Sequence, residues 1–258
     1  MNRLCDGFCQ SVVASASVGA WLAVAAGAVT EAAAADPAPE AAGIPIRRVL
    51  FVGNSLTYWN DGIYFHMEKL VASGAAVIRV ETGKSVKGGA TLKSHWDRSE
   101  PRAMIAAGGW SDVVLQEDLP EINVSYFREN ARRFVESVRA VKSRPVLLMT
   151  WAYERLDWIN NEQIAEAHRK VASELGVLVA PVAVAWQRVA LDRPMLDLFG
   201  PDREHPSVAG TYLATCVLYA TLTQTSPEPL GYAPAGITPG DALYLRRMAW
   251  EAVREWKP

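Results

Sequence analysis

Ser55 is the first residue in this chain placed to do covalent chemistry. It follows the apolar run Val49-Leu50-Phe51-Val52, which reads as a buried strand, and the break at Gly53-Asn54. A serine just past a strand end of an open α/β sheet faces a crevice, where its hydroxyl can act as a nucleophile. Capping the next helix is the plainer role for such a serine. A serine hydroxyl needs a base to take its proton. His205 offers a neutral imidazole, and Asp202 stands three residues before it. That spacing lets one turn carry both groups, with Asp202 holding the imidazole in one tautomer and stabilising its cation. Pro206 biases His205 toward an extended backbone and opens the next helix, so the ring is fixed just before a rigid element.

This set points to acyl transfer, which also requires preorganised donors for a developing oxyanion. The backbone amides of Ser55 and Gly89 and the side-chain amide of Gln116 are the candidates. Glycine at 89 lets the backbone approach a substrate closely. Trp151, His95 and Glu117 are candidate substrate-binding residues: an aromatic face for a sugar, a ring after the Gly-rich loop 82–90, and a carboxylate for hydroxyls. Asp118 could share the last role. His66 falls off the apolar face of its helix and is expected in solvent, whereas His168 is expected to pack. No histidine or cysteine accompanies Glu117 and Asp118, so neither a metal nor a cofactor is expected.

These residues need elements to bring them together. Apolar runs read as strands at 47–52, 76–81, 112–116, 145–150 and 177–180. Between them, helical spacing appears over 61–73, 99–107, 125–141 and 160–175, then over 182–191, after Pro206-Ser207 and after Thr238-Pro239. Alternation of this kind implies right-handed crossovers and a parallel sheet of about five strands with helices on both faces. In such a sheet all strand carboxyl ends share one edge, where Ser55, Gly89, Gln116 and His205 would meet.

The chain has 258 residues, half of them hydrophobic and 21% charged, with a formal net charge of -2. Nothing in that balance suggests a nucleic-acid partner. The cluster Arg128, Arg132, Arg133, Arg139, Lys142 and Arg144 lies between apolar positions at helical spacing and reads as a solvated helix face. Residues 1–35 have the order of a secretory signal: a basic start, an uncharged apolar middle and Ala33-Ala34-Ala35 as a cleavage site. Residues 36–45 form a Pro/Ala-rich linker, and 46–258 a single domain. Cleavage would leave a secreted or periplasmic protein with no stable membrane association. Cys5 and Cys9 would leave with the signal, and Cys216 would remain as a buried core thiol.

The motifs and their order resemble the SGNH (GDSL-type) hydrolase superfamily. Its first block is similar to Gly53-Asn54-Ser55-Leu56, its second to Gly88-Gly89 and its last to Asp202-Arg203-Glu204-His205. The resemblance implies a flavodoxin-like α/β/α sandwich and a serine esterase that passes small acyl groups through an acyl-enzyme, with acetylated carbohydrate as a candidate substrate. Two positions depart from the family pattern. Asn54 replaces the usual aspartate, and Gln116 stands where the third block offers asparagine. The Gly-Asn-Ser start resembles an uncharacterised bacterial subgroup. The true α/β-hydrolase elbow is disfavoured, because Thr57 stands where Gly-x-Ser-x-Gly needs glycine. Two alternatives stay open: a non-catalytic carbohydrate-binding protein on a degenerate SGNH fold, and an acyltransferase using the same triad.

Overall fold

The computed structural model describes residues 43–257. The expected signal segment and most of the linker lie outside the described residues. Five parallel strands form one sheet: β1 (Ile46–Gly53), β2 (Arg79–Val86), β3 (Asp112–Gln116), β4 (Arg144–Met149) and β5 (Leu178–Pro181), in the order β2-β1-β3-β4-β5. β1 thus lies inside the sheet, between β2 and β3.

Two-residue periodicity gives the sheet two apolar faces. Along β1, Val49 and Phe51 enter one core while Leu50 and Val52 enter the other. The first core is closed by α2 (Gly62–Val71), α7 (Val182–Asp192), α8 (Val208–Thr223) and α9 (Pro239–Glu255). The second is closed by α3 (Leu92–Asp97), α4 (Ser99–Ala106), α5 (Val124–Ala140) and α6 (Asn161–Leu175). Side chains such as Phe51, Ile63, Phe127 and Tyr212 are almost wholly buried. Burial of each such group contributes roughly 1.5–3 kcal/mol. This is the three-layer sandwich expected.

At the amino edge of the sheet, the buried carboxylate of Asp112 receives Arg47 Nε at 3.2 Å and Arg144 Nε at 2.5 Å. That ion triplet ties β1, β3 and β4 together at the end away from Ser55. Cys216 is buried on α8, as expected. Among the described residues, no helix is long and apolar enough to cross a membrane.

The second strand differs from expectation. Residues 79–86 pair with β1, from Ile46↔Arg79 to Gly53↔Val86, in place of 76–81. β2 is an edge strand and half exposed, so Glu81, Thr82 and Lys84 are tolerated there, while Ser85 is buried. The glycines at 83, 88 and 89 make 82–90 read as a loop, although its first half is strand.

Candidate active site

β1 delivers the nucleophile candidate through a tight strand-to-helix turn. A Cβ on Gly53 would sit 2.4 Å from Thr57 Oγ1 and 2.6 Å from Gln116 Oε1, so only glycine fits. Asn54 then caps α1 (Ser55–Tyr58), its Oδ1 accepting the Leu56 N–H at 3.0 Å. Ser55 is partly exposed at the carboxyl edge of the sheet. Two groups converge on the Gly53 carbonyl: the Lys87 N–H at 3.1 Å and His95 Nε2 at 2.9 Å. They clamp the loop after β2 beside the serine. In that loop Gly89 has φ +63, a left-handed conformation suited to glycine, and its exposed backbone is open to approach.

The base candidate arrives from the far end of the chain. The segment between α7 and α8 folds back on itself through the pairing of Phe199 with Pro206 and the 2.7 Å bond from the Gly200 N–H to the His205 carbonyl. Asp202 Oδ1 accepts the N–H groups of Glu204 at 3.1 Å and His205 at 2.9 Å. Its second oxygen, Oδ2, meets His205 Nδ1 at 2.7 Å. His205 Nε2 lies 2.8 Å from Ser55 Oγ. Partial burial pushes the Asp202 carboxyl up, but the bonds from the His205 ring and from the amides of His205 and Glu204 outweigh it and hold the group below its ordinary range. An ionised carboxylate can only accept, so Nδ1 carries the hydrogen and Nε2 presents its lone pair to the Ser55 hydroxyl.

Two neighbours hold this geometry. The indole of Trp59, 39% exposed, stacks on the His205 ring with centroids 4.0 Å apart and 23° between planes. Asn60 Nδ2 donates to the Pro206 carbonyl at 2.9 Å and to Thr211 Oγ1 at 3.0 Å. The Asn60 carbonyl in turn accepts from His66 Nε2 at 2.7 Å. Three consecutive residues, Asn60, Asp61 and Gly62, have φ of 50, 68 and 89. The sequence Asn-Asp-Gly signals such a left-handed turn, but nothing local shows that it clasps Pro206.

Several expected site residues take other positions. Gln116 is wholly buried. Its Oε1 accepts the Asn54 N–H at 2.7 Å and the Thr57 hydroxyl at 3.0 Å, and its Nε2 donates to the Glu117 carbonyl at 3.0 Å. It holds the serine turn and offers no donor to a substrate. Trp151 is buried against Trp186, centroids 4.0 Å apart, and its Nε1 donates to the Glu204 carbonyl at 3.0 Å. No sugar can reach it. His95 is wholly buried on α3, where it braces Gly53 and does not meet the crevice. Burial lowers its pKa, outweighing the bond to that carbonyl, so the ring is neutral.

Glu117 is also buried. Its Oε1 accepts the N–H groups of Leu92 at 3.0 Å and Asp118 at 2.9 Å, so it joins α3 to the loop after β3. Burial pushes its carboxyl up to about 7, against those two bonds and with the help of the nearby Asp118 charge. Asp118 accepts the Tyr153 hydroxyl at 2.5 Å. His66, expected in solvent, is buried between Asn60 and the Tyr232 hydroxyl, 2.8 Å from Nδ1, because the loop before α9 covers it. His168 packs as expected, bonding the Ile164 carbonyl at 2.9 Å.

No known family profile matches the chain, and no curated protein matches it. Solved structures do. A candidate SGNH hydrolase from Slackia heliotrinireducens is 27% identical, with a TM-score of 0.58 over 69% of this chain and 99% of that one. A DUF4886 family protein from Bacteroides uniformis is 19% identical, with a TM-score of 0.65 over 81% of this chain and 95% of that one. An acetylxylan esterase from Geobacillus stearothermophilus is 18% identical, with a TM-score of 0.53 over 70% and 94%. The chain has the fold of these proteins, and its resemblance to the SGNH hydrolase superfamily holds at the level of structure.

Proposed function

We propose, on the premise of an SGNH hydrolase fold, that this chain is a serine esterase acting on small acyl esters. One observation carries the reading: Asp202 Oδ2, the His205 ring and Ser55 Oγ form a continuous hydrogen-bonded chain, 2.7 Å and 2.8 Å at its two links. In the forward step Ser55 Oγ bonds to the ester carbonyl carbon and its proton passes to His205 Nε2. The carbonyl π pair moves onto oxygen. Collapse of that tetrahedral species expels the alcohol, which takes the proton from His205 and leaves an acyl-enzyme. Water then attacks the acyl carbon, His205 accepts its proton, and the acid departs as Ser55 regains its hydrogen. Asp202 stays ionised throughout and stabilises the imidazolium.

The amides of Ser55 and Gly89 are the backbone donors for the oxyanion. Neither makes a hydrogen bond among the described residues. The likeness to an acetylxylan esterase supports acetylated carbohydrate as a substrate class. The signal-like segment at residues 1–35 supports export, to the periplasm or outside the cell. Ser55→Ala should abolish both p-nitrophenyl acetate hydrolysis and covalent labelling by a fluorophosphonate. Labelling at the wild-type level in that variant would refute the assignment.

A further inference from the structure

We propose that the side-chain amide of Asn54 is the third oxyanion donor, in the role that the sequence assigns to Gln116. The inference deepens the esterase reading and rests on it.

The Gln116 amide is committed at both atoms and fully buried, so a substrate cannot meet it. Asn54 is different. It directly precedes Ser55 and is only 1% exposed. Its Oδ1 is fixed by the Leu56 N–H, which also settles which atom of the amide is oxygen. Nδ2 makes no hydrogen bond among the described residues, yet it is not among the sealed buried atoms. The small surface that Asn54 retains therefore lies at this nitrogen. Held by its oxygen in an otherwise buried side chain, this nitrogen is a fixed donor at the surface, free to meet an acceptor supplied from outside the fold. Asn54 immediately precedes Ser55, whose N–H is also free, and on the esterase reading the acceptor for this donor is the carbonyl oxygen of the ester.

The two departures from the family pattern are also bonded to each other, Asn54 N–H to Gln116 Oε1 at 2.7 Å. Gln116 anchors the Asn54 backbone, and Asn54 presents the donor. The pair acts as one unit, with the donor carried by the first block and not the third.

Asn54→Asp tests this. It keeps the cap oxygen and the side-chain shape but removes the N–H donor, and it restores the residue found in the family pattern. Asn54→Ser keeps a cap oxygen without adding charge. Both should fold, with unchanged circular dichroism. Each should lose about 100- to 1,000-fold in kcat on p-nitrophenyl acetate with KM within a few-fold, the size of effect known for one oxyanion donor. Fluorophosphonate labelling of Ser55 should slow in parallel. A folded Asn54→Asp or Asn54→Ser variant within threefold of the wild-type kcat overturns the inference alone, provided the wild type is active and Ser55→Ala is not. A wild type that neither turns over nor labels overturns this inference together with the esterase reading.

Discussion

The indole of Trp59 lies against the imidazole of His205 at 4.0 Å, so the residue four positions after the candidate nucleophile covers the candidate base. One short segment, 55–60, supplies the serine, the ring stacked on its base and the amide that grips the carbonyl after that base. The His205 ring is therefore positioned from the Ser55 segment as much as from its own turn.

Trp59→Ala should free one face of the His205 ring. Aromatic stacking contributes about 0.5–1.5 kcal/mol beyond area burial. A loss of about 3- to 10-fold in kcat/KM is expected on p-nitrophenyl acetate, with Trp59→Phe restoring most of it. Equal activity in the alanine and phenylalanine variants, both at the wild-type level, would show that the stack does not position the base.

Asn60→Ala removes two hydrogen bonds and places a Cβ residue without a compensating side chain at φ 50. Left-handed backbone costs an ordinary residue roughly 1–2 kcal/mol. Asn60→Ala should lower the unfolding free energy by about 2–4 kcal/mol in urea titration. Asn60→Gly, relieved of the backbone term, should lose about 1 kcal/mol less. Activity should fall in both variants, since the Pro206 carbonyl loses its tie to the serine segment. If glycine proves no better than alanine, the backbone conformation is not a source of strain.

Glu117 sets a pH dependence. Its carboxyl ionises near 4.5 in the unfolded chain and is pushed up to about 7 in the fold, first of all by burial. Between those values the folded protein holds a proton that the unfolded chain releases. The contribution is full below pH 4.5 and is lost as pH rises through 7, a change of up to about 3 kcal/mol. Glu117→Gln should therefore show a flatter stability profile than wild type between pH 5 and 8, as read from urea midpoints. Parallel profiles would mean that Glu117 is already ionised at pH 5.

The meeting of Ser55, Asp202 and His205 was legible in the sequence because each depends on a local signal: a strand that stops, an Asp-x-x-His turn and a proline that fixes the next helix. The strand ends were likewise legible as a common edge. The sequence does not show which way a side chain points once its strand ends. Gln116 turns under the Ser55 turn, and Glu117, one residue on, turns under α3, so one lies beside each core. The positions of His95 and His66 depend on partners 42 and 166 residues away, Gly53 and Tyr232. Trp151 points into the first core because Trp186 on α7 meets it there. Such contacts are set by tertiary packing and leave no periodic trace. Asn60 was hidden for the same reason, although its turn was announced by the glycine that follows.

Ser55 and His205 are 150 residues apart in sequence, and the proposed reactive group is complete only when their side chains meet. Contacts of such long range are slow to close in folding, because chain entropy must be lost before they form. On the esterase reading, a nascent chain that has extruded β1 through β5 holds the serine without its base and should not react with a fluorophosphonate. Reactivity at Ser55 should appear only when the segment before α8 docks, so the protein would switch on as its last third folds. Its own nucleophile would then act as a clock for the completion of its fold.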